Sequence, residues 1–191
     1  MKRLMFLRIH CTATKEGRDY DKETVLGWFK ARGWRHPGYN DIIHLDGNIS
    51  NLLDFDTDAF VSSYEISNGV RGRNSNARNV SYIGGVTAHD HRIAKDTRTL
   101  HQKDCLSEYV WQMVRRYPWI IVGGHNQYSS KACPSFDVPA WLEHICIPEA
   151  NIDRTVRPSA ITTEPESLFD MDIYGESDII KNPVWRFLKR L

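Results

Sequence analysis

A chain of 191 residues, 41% hydrophobic and 11% aromatic, has the apolar content for one packed domain with an appendage. It is too short for two independent enzymatic domains. Its 25 basic and 24 acidic residues leave a formal net charge of +1, which gives no broad electrostatic footprint for nucleic acid or an anionic membrane.

The opening MKRLMFLRIH carries an apolar stretch, residues 4–7, that Arg8 interrupts. That stretch falls short of the ~7–15 apolar residues in the core of a secretory leader, and no window approaches the ~20 apolar residues of a membrane span. The expectation is a chain made in the cytoplasm that reaches an outside target only by another route of release. Cys11, Cys105, Cys133 and Cys146 are accordingly read as reduced thiols.

Residues 3–11 read as a buried strand ending at His10, and Asp21 as the cap of a helix over 22–31 that Gly33 closes. DIIHLDGNIS reads as a hairpin turning at Asp46-Gly47. Residues 51–79 are polar and irregular, and VRGRNSNAR within them is the one local basic patch. VSYIGGV recovers a central strand. The apolar positions Leu106, Tyr109, Val110, Met113 and Val114 predict a helix over about 102–117, stopped by Pro118. WIIVGGH is a buried strand delivering His125, and FDVPAWLEHI is a short helix after Cys133. The order predicts an α/β fold: one domain, residues 1–147, with a central mixed β-sheet flanked by helices. After residue 147 the chain turns aperiodic, so 148–191 is expected to be an extension, a linker closed by a short helix within NPVWRFLKRL.

His10 and His125 stand at the predicted ends of apolar strands, and Cys133 follows in a loop. Neighbouring strands lie ~4.8 Å apart, so strand-end histidines can meet around one ion, and a catalytic zinc takes three such ligands and keeps a fourth position open. No tight Cys-x-x-Cys or His-Glu-x-x-His pair is present, and structural histidines satisfied within the fold remain the other reading. Cys11, adjacent to His10, faces the opposite side of its strand and reads as core. HDH, residues 89–91, reads as surface loop, and His44 as a solvated strand residue.

RIHCTATKEGRD, ARGWRHPGYNDIIHLDGNI and VGGHNQYSSKACPSFDV, in this order and separation, resemble the phage-lysozyme type of N-acetylmuramoyl-L-alanine amidase. These are zinc enzymes whose wider family includes the peptidoglycan recognition proteins. The resemblance covers about residues 3–143. It implies Zn2+ held by His10, His125 and Cys133 in a surface groove, with Tyr39 and Lys131 as catalytic residues. It further implies a hydrolase of the amide between N-acetylmuramic acid and L-alanine, acting as a phage or prophage endolysin. The expected partner is peptidoglycan or muropeptides, met by a monomer, with no nucleic acid and no membrane insertion. A cytoplasmic enzyme recycling wall fragments, or a non-catalytic peptidoglycan-binding module, are the alternatives. Two positions depart from the family pattern: Asn40 follows Gly38-Tyr39 where a histidine is common, and Gly69 stands where a further histidine often falls.

Overall fold

The computed structural model describes residues 1–156. Their strands are β1 (Lys2–Arg3), β2 (Phe6–Cys11), β3 (Thr14–Lys15), β4 (Asp41–Ile43), β5 (Ile49–Asn51), β6 (Phe60–Val61), β7 (Ala77–Tyr82), β8 (Gly85–Val86) and β9 (Ile121–Gly124). The helices are α1 (Lys22–Ala31), α2 (Leu100–Arg116) and α3 (Val138–His144). The main sheet is five-stranded, in the order β5-β4-β7-β2-β9. β4, β7, β2 and β9 run parallel, and β5 folds back antiparallel on β4 with Ile43 opposite Ile49. This is the mixed sheet expected from the alternation of strand and helix.

Each helix begins where its capping chemistry places it. The Asp21 carboxylate accepts from the Thr24 amide at 2.8 Å, and α1 spans the residues its apolar pattern marked. α2 starts two residues earlier than its apolar pattern does. Thr99 accepts from the Gln102 amide while the Gln102 side chain accepts from the Thr99 amide, a reciprocal cap. The Gln102 amide group then donates to the carbonyls of Ile43 and Ile83, tying the helix start to the ends of β4 and β7.

α2 lays Leu106, Tyr109, Val110, Met113 and Val114 on a core with Leu7, Ile9, Val80 and Tyr82. On the opposite face α1 presents Val25 and Phe29 to Ile42, Leu52 and Ile83. That second face is only partly apolar. Arg8, His10, Asn79 and Ser81 are all buried, and the register sets Arg8 opposite Asn79 and His10 opposite Ser81.

VSYIGGV is divided between two sheets. β7 stays in the main sheet, while β8 pairs with β3 in a separate two-stranded one. The irregular stretch 51–79 contributes β6, which pairs antiparallel with β1.

The fold continues past the boundary expected at residue 147. Asn151, Ile152 and Asp153 are buried, Ile152 bridges to Val122, and the Asp153 amide donates to the Val122 carbonyl at 2.9 Å. The Asn151 side chain donates to the carbonyls of Pro118 and Ile120. What looked like the start of a linker is a short edge contact, in which one core residue, Ile152, stands between polar and backbone contacts and leaves no hydrophobic periodicity to read. The terminal stretch NPVWRFLKRL lies outside the described residues.

Candidate metal centre

His10 and His125 reach one point because β2 and β9 are parallel neighbours. His10 is the penultimate residue of β2, and His125 opens the helical turn that follows Gly124. Ligand sites of open α/β sheets lie at the carboxyl ends of strands, as here. Gly123 permits the close approach beneath them. A Cβ there would sit 2.9 Å from that of Asp153 and 3.0 Å from a guanidinium nitrogen of Arg8.

Cys133 arrives on the loop before α3. The Tyr82 hydroxyl donates to the Pro134 carbonyl at 2.7 Å, which holds that loop against β7. The Cys11 amide donates to Cys133 Sγ at 3.2 Å, the kind of contact that supports a sulfur carrying negative charge.

Ligand atoms of His10, His125 and Cys133 all lie within 4.8 Å of one another, the one such grouping among the described residues. Cys133 Sγ is 3.8 Å from His10 Nδ1. Tetrahedral zinc with Zn–N of ~2.0–2.1 Å and Zn–S of ~2.3 Å sets its sulfur and nitrogen ligands about 3.6 Å apart, so the pair is nearly at ligating separation. His10 Nε2 is engaged with Asn79 Oδ1 at 2.9 Å, leaving Nδ1 to face the pocket. A compact set of two nitrogens and one sulfur suits zinc better than the oxygen-seeking cations.

Burial, then the neighbouring His125, drives the His10 pKa well below the ordinary histidine value, against the raising effect of its Asn79 bond. The imidazole is therefore neutral, as a ligand must be. Burial, then the Cys11 sulfur, lifts the Cys133 thiol well above its usual value. The thiolate form thus depends on the charge of a bound cation.

The two expected catalytic residues stand beside this set. The Tyr39 ring centroid is 5.1 Å from that of His10, and its hydroxyl donates to the Cys11 carbonyl at 3.2 Å. Burial, followed by the two cysteine sulfurs, raises its pKa far enough to keep the phenol protonated across the physiological range. Lys131 is half-buried, and its charge lowers the pKa of both His10 and Cys133.

The remaining histidines separate from the site, whereas the Cys11 sulfur lies against that of Cys133. All four cysteines are free. Cys11 packs in the α2 core. His44 pairs with Asp19 at 3.4 Å and Ser50 at 2.8 Å, and His89 and His91 are exposed. Within VRGRNSNAR, Arg78 is committed to Asp41 at 2.7 Å, and Arg73 lies over the Tyr128 ring.

Sequence reasoning missed the polar layer under the site: Ser67, Asn79, and the part Asn40 plays with them. Asn40 precedes β4 and Asn79 lies within β7, strands read in part from their alternation, but their partner Ser67 comes from the irregular stretch, whose path was not readable.

The fold is that of the N-acetylmuramoyl-L-alanine amidases and peptidoglycan recognition proteins. The chain is similar to the amidase LysC from Clostridium intestinale URNW (18% identity, 75% of this chain and 83% of that one, TM-score 0.56). It is also similar to bumblebee PGRP-SA (14% identity, 81% and 87%, TM-score 0.59). A third similar structure is the endolysin of Thermus scotoductus bacteriophage Ph2119 (20% identity, 76% and 83%, TM-score 0.54).

Among curated proteins it is 30% identical over 135 residues to the endolysin of Enterobacteria phage K11, spanning 71% of this chain and 83% of that one. It is 28% identical over 136 residues to the endolysin of Escherichia phage T7, with the same coverage. No family model matches the chain. The chain belongs to the phage endolysin family.

Proposed function

We propose that this endolysin hydrolyses the amide joining N-acetylmuramic acid to L-alanine in peptidoglycan, with one zinc ion held by His10, His125 and Cys133. The observation that carries the reading is the three-residue set itself, a compact N,N,S grouping where β2 and β9 end and the Cys133 loop passes, with a half-buried mouth at His125. Its relatives are named endolysins, and similar folds are named amidases. A wall-binding module has no need of the cysteine, so its presence in that set favours hydrolysis.

Bound there, zinc supplies Lewis acidity and a water made acidic near neutral pH. The chain's own groups do the rest. Lys131, whose positive charge acts on both His10 and Cys133, would hold the oxyanion that develops when the amide carbonyl is attacked. Tyr39, kept protonated beside His10, holds a proton for the departing amine. Tyr39 packs against Phe29 in the α1-side cluster, so its position has little to change during the reaction.

The test pairs elemental analysis of the purified full chain with release of free peptide stems from purified sacculi. One zinc per chain together with muramoyl-alanine cleavage is expected. Zinc with wall binding but no cleavage would leave the binding module as the answer. Activity on soluble wall fragments but not on sacculi would favour a recycling amidase.

A further inference from the structure

We infer that a relay of buried side chains, Asn40, Ser67 and Asn79, sets the tautomer of His10 and thereby which of its nitrogens can bind metal. This rests on the reading of His10 as a ligand, although the tautomer can be measured without metal. All four residues are buried, so water does not compete for their hydrogen bonds and each donor needs an acceptor.

The orientation of side-chain amides and the position of a hydroxyl proton normally have to be assigned from their surroundings. Here two backbone groups leave one consistent assignment. The Asn79 backbone N–H, which can only donate, points at Asn40 Oδ1 at 2.9 Å. The Glu65 carbonyl, which can only accept, lies 2.8 Å from Asn40 Nδ2. The Asn40 amide is therefore fixed with its oxygen toward β7.

Ser67 Oγ lies 2.8 Å from that same oxygen, so the hydroxyl must spend its single proton there. What remains on Ser67 Oγ is acceptor capacity, and Asn79 Nδ2 fills it at 2.9 Å. Reversing the Asn79 amide would set three oxygens in a row with one proton among them. Asn79 Oδ1 is consequently the atom facing His10, at 2.9 Å from Nε2. An oxygen acceptor requires Nε2 to carry the proton. Nδ1 keeps its lone pair, and Nδ1 is the nitrogen that faces Cys133 Sγ.

Three features that looked unrelated in the sequence serve this arrangement. Asn40 offers both an acceptor and a donor at the start of the relay. Gly69 leaves the room that Asn79 occupies, since a Cβ there would lie 2.2 Å from Asn79 Oδ1. Ser67 converts the polarity of one amide into that of the next. Asn79 is thus a positioning residue: it acts on the metal through His10, and nothing assigns it a contact with substrate.

The test uses the full chain with 15N-labelled histidine. In the metal-free wild type at neutral pH, His10 is expected to show a protonated Nε2 and an unprotonated Nδ1, read from the two ring-nitrogen signals. Zinc affinity, measured by chelator competition with Zn2+ alone, is expected to fall about 10–100-fold in Asn79→Leu, the usual loss when a partner behind a ligand is removed. Asn79→Asp keeps an acceptor at Nε2, so the tautomer is expected to hold although the donor to Ser67 is lost. Ser67→Ala releases the Asn79 amide to turn over, so a second His10 tautomer is expected.

A wild-type His10 protonated on Nδ1 would overturn the inference, as would an unchanged affinity in Asn79→Leu. If Asn79→Leu does not fold, the wild-type tautomer and the Ser67→Ala spectrum decide alone. Failure of the amidase reading is separable, because the tautomer and zinc affinity are read without any wall substrate.

Discussion

Asp153→Ala is the sharpest perturbation of the fold, because it exposes what residues after 147 contribute. Arg8 and Asp153 meet at 2.8 Å with side chains only 1% and 7% exposed. The guanidinium is held between rings, 4.2 Å from the Phe6 centroid and 4.1 Å from that of Tyr128. Its Nε already has no partner among the described residues, so Arg8 has no spare hydrogen bond to redirect. Removing one member of a buried pair costs ~3–5 kcal/mol, since the other charge is left uncompensated. At ~2–4 °C per kcal/mol for a domain of this size, Tm is expected to fall by about 6–20 °C. Differential scanning calorimetry or thermal circular dichroism reads the shift directly. Arg154→Ala is the control one residue away. Its partners Glu143 and Glu149 are exposed, so Tm should stay where it was. If Asp153→Ala were as mild as Arg154→Ala, the buried pair would not be a structural lock and the argument would fail.

The same contact carries a pH dependence. Burial pushes the Asp153 carboxyl up, but bonds from Tyr128, Thr155 and Arg8 outweigh it and leave the pKa below the ordinary value. Its stabilising effect is therefore complete above the unfolded value of ~3.9 and is lost as pH falls through the lower folded value. Urea titrations from about pH 5 downward should show a shallower acid loss in Asp153→Asn than in the wild type. We propose that the domain ends near residue 155, so truncation after Val156 should leave folding intact, whereas truncation after Ala150 should lower Cm in urea. Cys133→Ser should lower both zinc content and hydrolysis, and full metal occupancy in that variant would remove the cysteine from the ligand set. Lys131→Ala and Tyr39→Phe should retain zinc by elemental analysis while kcat on muropeptides falls, by ~10²–10³ for an oxyanion donor. Unchanged turnover in both would mean that neither group acts on the reacting amide.

Much of the fold was legible because its signals are local. Asp21 and the spacing of Val25 and Phe29 delimit α1 without reference to anything distant. The apolar stripe of α2 marks its buried face, and Asp46-Gly47 marks the hairpin. The ligand-type residues stood out for a different reason: chemistry needs particular side chains at strand ends, whatever surrounds them. Register and edge contacts were beyond reach. Nothing in Val86 announces that its strand leaves the main sheet for β3, because that pairing is decided by the path of residues 12–15 on the other side of the site. Asp153 reads as one acid in an acidic, aperiodic stretch until Arg8, 145 residues earlier, is found beside it.

The two departures from the family pattern show why substitutions near a metal have to be weighed together. Taken singly, Asn40 and Gly69 each look like the loss of a histidine, and with it of function. In the fold, Asn40 Oδ1 accepts from the Asn79 backbone and from Ser67, while Gly69 abuts the Asn79 side chain. A histidine at 40 has no amide with which to accept two bonds on one atom and donate to the Glu65 carbonyl from another. A histidine at 69 would need the space that Asn79 fills. Either reversion alone would leave buried polar groups unpaired or overlapping, at a cost of ~1–3 kcal/mol for each such defect. The departures are one alternative way of building the floor beneath His10, which still brings a ring nitrogen within 4.8 Å of ligand-type atoms of His125 and Cys133.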